Sequence, residues 1–404
     1  MLRSVAIEGG TPAAAFLREL HNDLVRFGRD DVLLIDIGGA LVFVWNPDFT
    51  SSASATLREE ALAARLVDAR DALRAAEALL DPDHFNAFDI DFAQLKIEVI
   101  PCKRPSAEER LFEYVAKGQS AAAETKKMRL GKFLVFDSTP KPARIMGTIA
   151  LKSPKYFDGA RDQHLGWPSL SSMIGGERVT NPDAITLRNA ALKSILNIAV
   201  CMAVPPYDRH GVGKLIAALA LSDPVIGHME AAYPDPVLGL TTTGIWGGSA
   251  GQYERIRLGR DLTGKLRGKL FQRTHTITRS LNYVPSLFSK NTYDAAFRMI
   301  DKSHEKLKPY YGYDTDPVIQ QNLLYAAVRH VRVPRRAIAA NVISHYFGCV
   351  SKACRDALAT VETLKHPPVE RSLSVDEIYA EWLARTTVPA ATGVSSQRLS
   401  ELVA

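Results

Sequence analysis

The chain has 404 residues, 46% of them hydrophobic and 23% charged, with a formal net charge of +6 at pH 7. That length and apolar content support two or three domains with real cores and exclude disordered or collagen-like chains. No apolar run reaches the roughly 20 residues that span a bilayer, and the opening MLRSVAIEGGTPAAAF lacks the apolar stretch and cleavage site of a secretory signal, so neither is expected.

Thr11 and Pro12 open the first predicted helix, TPAAAFLRELHNDLVRFG, as N-cap and first helical residue. VLLIDIGGALVFVWN reads as one or two strands broken at Gly38 and Gly39. In residues 52–81, Leu62, Leu66, Ala69, Leu73, Ala76 and Leu80 alternate spacings of four and three, the seam of a helix about 45 Å long. That seam suits a homo-oligomer or partner protein, or packing on its own chain. A strand, LKIEVIP, and an amphipathic helical region over 105–131 follow. KFLVFDS, ARIMGTIALKS and SILNIAVCMAV are the next strand candidates, then the helix GKLIAALALSDPVIGHMEAAY, interrupted at Pro224, and the strand PVLGLTTTGIWG. From about residue 290 the chain reads as helical to its loose end. Within it, VPRRAIAANVISHYFGCVSKACRDAL fits a helix–turn–helix with Gly348 at the turn and Arg335, Arg336 and Lys352 toward phosphate. The expected architecture is α/β (α+β): a mixed N-terminal region with its helical extension over 1–125, a central mixed sheet over 126–275, and an all-helical C-terminal module over 276–404.

Cys102, Cys201, Cys349 and Cys354 fit neither a CxxC motif nor a zinc site, which points to a reduced cytoplasmic protein without structural metal. Basic residues cluster at 126–132, 255–273 and 332–336. The middle run carries Arg255, Arg257, Arg260, Lys265, Arg267, Lys269 and Arg273 against Asp261 alone. Such runs suit a nucleic-acid backbone or a solvated basic face. Two loops can be tested against phosphate-binding patterns. Gly259 to Lys265 has the G-x-x-x-x-G-K frame, but Leu266 stands where Ser or Thr would bind magnesium. Asp208-Arg209-His210-Gly211-Val212-Gly213-Lys214, between a strand and a helix, fails the same test but keeps two glycines at a helix start. There a backbone can approach a phosphate closely. Elsewhere, Asp89 and Asp91, with Asp36 or Glu98, offer carboxylates for magnesium in no recognisable set.

The order IMGTIALKSP, RDQHLGW, NIAVCMAVPP, HGVGKLIAALALS and PVLGLTTTGIWGGSAGQYERI resembles the DruA-like family of the Druantia anti-phage system and of phage and mobile-element proteins. The likeness covers residues 130–260, about a third of the chain. That family is similar to the phage protein Mom and to GNAT acetyltransferases, whose Q/R-x-x-G-x-G/A loop binds the coenzyme A pyrophosphate. The resemblance therefore implies a GNAT-like fold, an acetyl-CoA or related acyl-CoA cofactor, and DNA as partner. Arg209, Gly211, Gly213, Lys214 and Thr242 would hold the cofactor, although Asp208 departs from the Q/R position. Asp162 would be the base and Tyr253 the acid of an acyl-type transfer to DNA. A non-catalytic DNA-binding or assembly subunit, and a DNA strand-cleaving enzyme using Asp162 or Tyr253, are the alternatives. The residue-level readings set against these roles are an Arg161–Asp162 salt bridge and a packed Tyr253.

Overall fold

Thr11 does cap the first helix: its Oγ1 accepts from the Ala14 N–H at 3.2 Å, with Pro12 in the first turn. In this computed structural model the described residues are 2–27, 29, 31–46, 79–80, 84, 90–117, 129–174, 177–208, 211–244, 252–260, 266–280, 288–300, 317–338 and 341–386. The chain begins with β1 (Arg3–Glu8), α1 (Pro12–Arg26), β2 (Val32–Ile37) and β3 (Ala40–Trp45), a three-stranded antiparallel sheet in the order β1-β3-β2. Gly38 and Gly39 turn the β2–β3 hairpin with φ of 58° and 86°. The elements continue as β4 (Ile97–Pro101), α2 (Ala107–Lys117), β5 (Leu130–Asp137), β6 (Arg144–Lys152), α3 (Gly159–His164), β7 (Ser171–Ile174), β8 (Glu177–Thr180) and α4 (Pro182–Ala191). Then come β9 (Ile195–Ala203), α5 (Val212–Leu219), α6 (Asp223–Ala232), β10 (Gly239–Gly244), β11 (Gly259–Arg260), β12 (Leu266–Gly268) and β13 (Phe271–Ser280). The last are α7 (Lys290–Ile300), α8 (Pro317–His330), β14 (Asn341–Gly348), α9 (Lys352–Ala357), α10 (Val361–Leu364) and α11 (Val375–Arg385).

The main sheet has seven strands in the order β13-β14-β10-β9-β6-β5-β4. Every neighbouring pair is antiparallel except β9 and β10. A parallel pair needs a crossover, and α5 and α6 supply it, broken just before Pro224 as the sequence predicts. Leu215, Ile216 and Leu219 of α5 are buried with Ile149, Leu151 and Leu196 of the sheet. Burying each such side chain stabilises by about 1.5–3 kcal/mol, so α5 is held firmly where its N-terminus opens. A second core joins α1 to α7 and α8, from far along the chain. Buried Asp23 ties α1 to the start of α7: its Oδ2 accepts from the Ser289 N–H at 2.8 Å and the Thr292 hydroxyl at 2.6 Å.

The mixed class is as expected, but the C-terminal region is not all helical. Asn341–Gly348 is strand β14, which inserts between β10 and β13. Ile343, Ser344, Tyr346 and Phe347 are all buried. Ile343 and Phe347 lie buried on one face and Ser344 and Tyr346 on the other, so the strand lacks the apolar–polar alternation that would separate it from a helix. The helix–turn–helix therefore does not exist: Gly348 ends a strand, Lys352 pairs with Asp356 at 2.7 Å, and the Arg335 guanidinium stacks on Tyr325 at 4.3 Å. The Arg336 side chain, and residues 47–78 with most of the predicted seam, lie outside the described residues. Leu80, at the end of that seam, packs beside Phe112 and Leu134. Among the described residues no helix is long and apolar enough to cross a membrane.

Candidate functional site

The glycine loop stands between β9 and α5, as its sequence suggests. Gly211 is the N-cap of α5 with φ 77°, a left-handed conformation that costs an ordinary side chain about 1–2 kcal/mol. Gly213 is different. A Cβ there would meet nothing closer than Gln252 Oε1 at 3.7 Å, so the fold does not require glycine at that position. Lys214 follows in the first turn; Arg209 lies outside the described residues.

A cavity of about 420 Å³ opens beside this helix start. Lys214, Arg255 and Arg257 line it together with Arg385, and Ile256 and Leu258 add apolar wall. Arg255 and Arg257 belong to the basic run singled out in the sequence, and both are exposed. The opposite wall, Glu381, Trp382, Arg385 and Thr386, comes from α11 and the residue after it. No local motif marks these residues, and their part in the site is invisible in the sequence. The Trp382 indole N–H donates to the Gly211 carbonyl at 3.1 Å, tying the end of the chain to the loop. Further anchors fix α11: a capping box between Ser374 and Glu377, a paired Arg371–Glu230 contact with both distances 2.9 Å, and the Tyr379 hydroxyl donating to the Phe92 carbonyl at 2.8 Å.

Below the loop the parallel strands part. β9 and β10 pair only over Ile195 to Asn197 and Gly239 to Thr241, after which β9 runs on to Ala203 without its neighbour. Gln252 enters the gap and donates its Nε2 to the Cys201 carbonyl at 2.9 Å. Tyr253 follows it, buried between Phe271 and Tyr346 with ring centroids 5.2 and 5.5 Å away, beside Thr242 and Cys201. Burial, then the neighbouring Cys201, holds the Tyr253 phenol well above its ordinary pKa. Burial likewise pushes the Cys201 thiol up to about 12. Tyr253 is thus a neutral packed aromatic, and Thr242 is buried beside it rather than in the cavity.

Asp162 lies elsewhere. It sits in α3 with both carboxylate oxygens engaged: Oδ1 accepts from Arg161 at 2.6 and 2.9 Å, and Oδ2 pairs with Arg188 at 2.7 Å. Both guanidiniums stack on Trp167, at 5.1 and 5.8 Å. Trp167 shares a core with Phe347, whereas Tyr253 contacts Tyr346. Successive residues of a strand point to opposite faces, so the two nominated catalytic residues stand on opposite sides of the sheet. Asp162 has the geometry of the salt-bridge reading: Arg161 holds Oδ1 through two donors and Arg188 holds Oδ2.

Among the described residues, the basic side chains of Arg129, Lys132 and Arg273 have separate partners. Arg129 turns inward to the carbonyls of Leu192 and Ile195 at 2.6 and 2.9 Å, and Lys132 is buried against Glu109 and Glu113. Arg273 pairs with Glu254 at 2.5 Å, while Lys269 is exposed. Lys265 and the side chains of Arg260 and Arg267 lie outside the described residues. No family model matches the chain, and neither do curated proteins or solved structures.

Proposed function

We propose that this chain is a nucleic-acid-binding protein on a GNAT-like sheet, of phage-defence or mobile-element type. It holds a phosphate-bearing coenzyme of the acyl-CoA class at the start of α5 and transfers an acyl-type group to DNA. The observation that carries the reading is the cavity in which Lys214, Arg255 and Arg257 surround the helix start after Gly211. A helix N-terminus favours anions, and a concave site with convergent cations is what a ligand phosphate needs. Gly213 is not among the residues that line this cavity and adds nothing to the reading. The DNA component draws support from exposed Arg255, Arg257 and Lys269 and the net charge of +6. The resemblance to DruA-like proteins supplies the biological setting.

A second reading is a non-catalytic DNA-binding or assembly subunit that keeps the anion site. It is favoured by the two arginines on Asp162 and the burial of Tyr253. The test is calorimetry with acetyl-CoA, together with DNA affinity measured against salt. Coenzyme binding and acyl transfer to DNA are expected, with affinity for DNA falling as log salt rises. No heat and no thermal shift with the coenzyme would end the coenzyme reading. Coenzyme binding without transfer would select the second reading, and DNA affinity independent of salt would end the nucleic-acid component of both.

A further inference from the structure

We propose that Arg385 is an anion clamp, carried into the cavity by α11, which a ligand bearing adjacent phosphates draws away from Glu381. The proposal rests on the cavity being a phosphate site. Arg385 donates through Nε and Nη2 to a single oxygen, Glu381 Oε2, at 3.1 and 3.0 Å. A guanidinium fork satisfies two acceptor atoms in parallel and fits a phosphate bidentately. Its present partner engages only one. Both side chains are partly exposed, 44% and 30%, and an i,i+4 pair in that setting is weakly held and screened by salt. Exchanging Glu381 for phosphate therefore costs little.

The placement makes the exchange consequential. Lys214, Arg255 and Arg257 stand on the wall formed by α5 and the segment after β10, and Arg385 stands on the wall formed by α11. A ligand with two linked phosphates meets both walls at once and stitches α11 to α5, beside the existing bond from Trp382 to the Gly211 carbonyl. Glu381 lines the same cavity, so its carboxylate repels an anion that fails to capture Arg385. Glu381 and Arg385 together therefore disfavour an anion that offers Arg385 no bidentate acceptor, and binding tightens the docking of the C-terminal helix.

The probes are inorganic pyrophosphate and coenzyme A, titrated into the full chain and its Arg385→Ala and Glu381→Gln variants. Hydrogen exchange is followed over residues 375–386. Arg385→Ala should weaken pyrophosphate about tenfold, the loss of one bidentate charged contact, and Glu381→Gln should strengthen it several-fold. Pyrophosphate should slow exchange in α11 of the unaltered chain and not in Arg385→Ala. Pyrophosphate affinity equal in all three proteins overturns the clamp. Arg385-dependent pyrophosphate binding without coenzyme binding keeps the clamp and removes the coenzyme reading. Coenzyme binding indifferent to Arg385 does the reverse, and failure of both probes on the unaltered chain removes both.

Discussion

Replacing Asp162 by asparagine keeps the side-chain shape and removes the charge that two buried guanidiniums share. The Arg161 and Arg188 side chains are 2% and 5% exposed, and Asp162 itself is 13% exposed. The asparagine oxygen can still accept from one arginine, but its NH2 then points at the other, donor against donor. Breaking a buried ion pair by removing one partner costs about 3–5 kcal/mol. The lower end applies here, because Arg161 keeps the Lys155 and Tyr156 carbonyls at 2.6 and 3.1 Å, and Arg188 keeps Tyr156 at 3.1 Å. At about 2–4 °C per kcal/mol, a loss of about 3 kcal/mol lowers the midpoint of the sheet core by about 6–12 °C, measured by scanning calorimetry. Arg188→Gln should reproduce much of that loss, and the double variant should fall well short of the sum, since the two side chains act on one cluster. A fall of less than about 2 °C for Asp162→Asn, with DNA modification abolished, would refute this reasoning and return Asp162 to the role of base.

Tyr253→Phe should cost about 1 kcal/mol of stability, the loss of a buried hydroxyl, and leave coenzyme affinity unchanged; lost transfer at full stability would show an acid at work. Tyr207 and Tyr253 are both raised by burial above the ordinary value of 10.0. Their contribution to stability is fully present below pH 10 and is lost as pH rises toward their folded values, because only the unfolded chain then releases those protons. Denaturant midpoints should therefore fall above pH 10, and less so in Tyr253→Phe. Gly211→Ala should destabilise by about 1–2 kcal/mol through its positive φ. Gly213→Ala should fold as the unaltered chain does by chemical denaturation, because a Cβ there meets nothing closer than 3.7 Å, which sets it apart from Gly211. Gly239→Ala would put a Cβ 2.3 Å from the Phe347 ring and should cost about 2 kcal/mol by chemical denaturation.

Short-range chemistry can be read directly from the order of residues. Thr11 and Pro12 start a helix, Gly38 and Gly39 turn a hairpin, and Pro224 divides α5 from α6, because caps, turns and ring constraints act within a few residues. The apolar runs of β5, β6, β9 and β10 are legible for the same reason, and so is a glycine at the start of α5. β14 was not legible, since burial on both faces erases the alternation that distinguishes a strand. Nor was the far wall of the cavity, because Trp382 and Gly211 are 171 residues apart and meet only through long-range packing. Tertiary structure alone also set Asp162 and Tyr253 on opposite faces of the sheet. Which residues share a site depends on strand order and on the partners a side chain finds, and neither is encoded in local spacing.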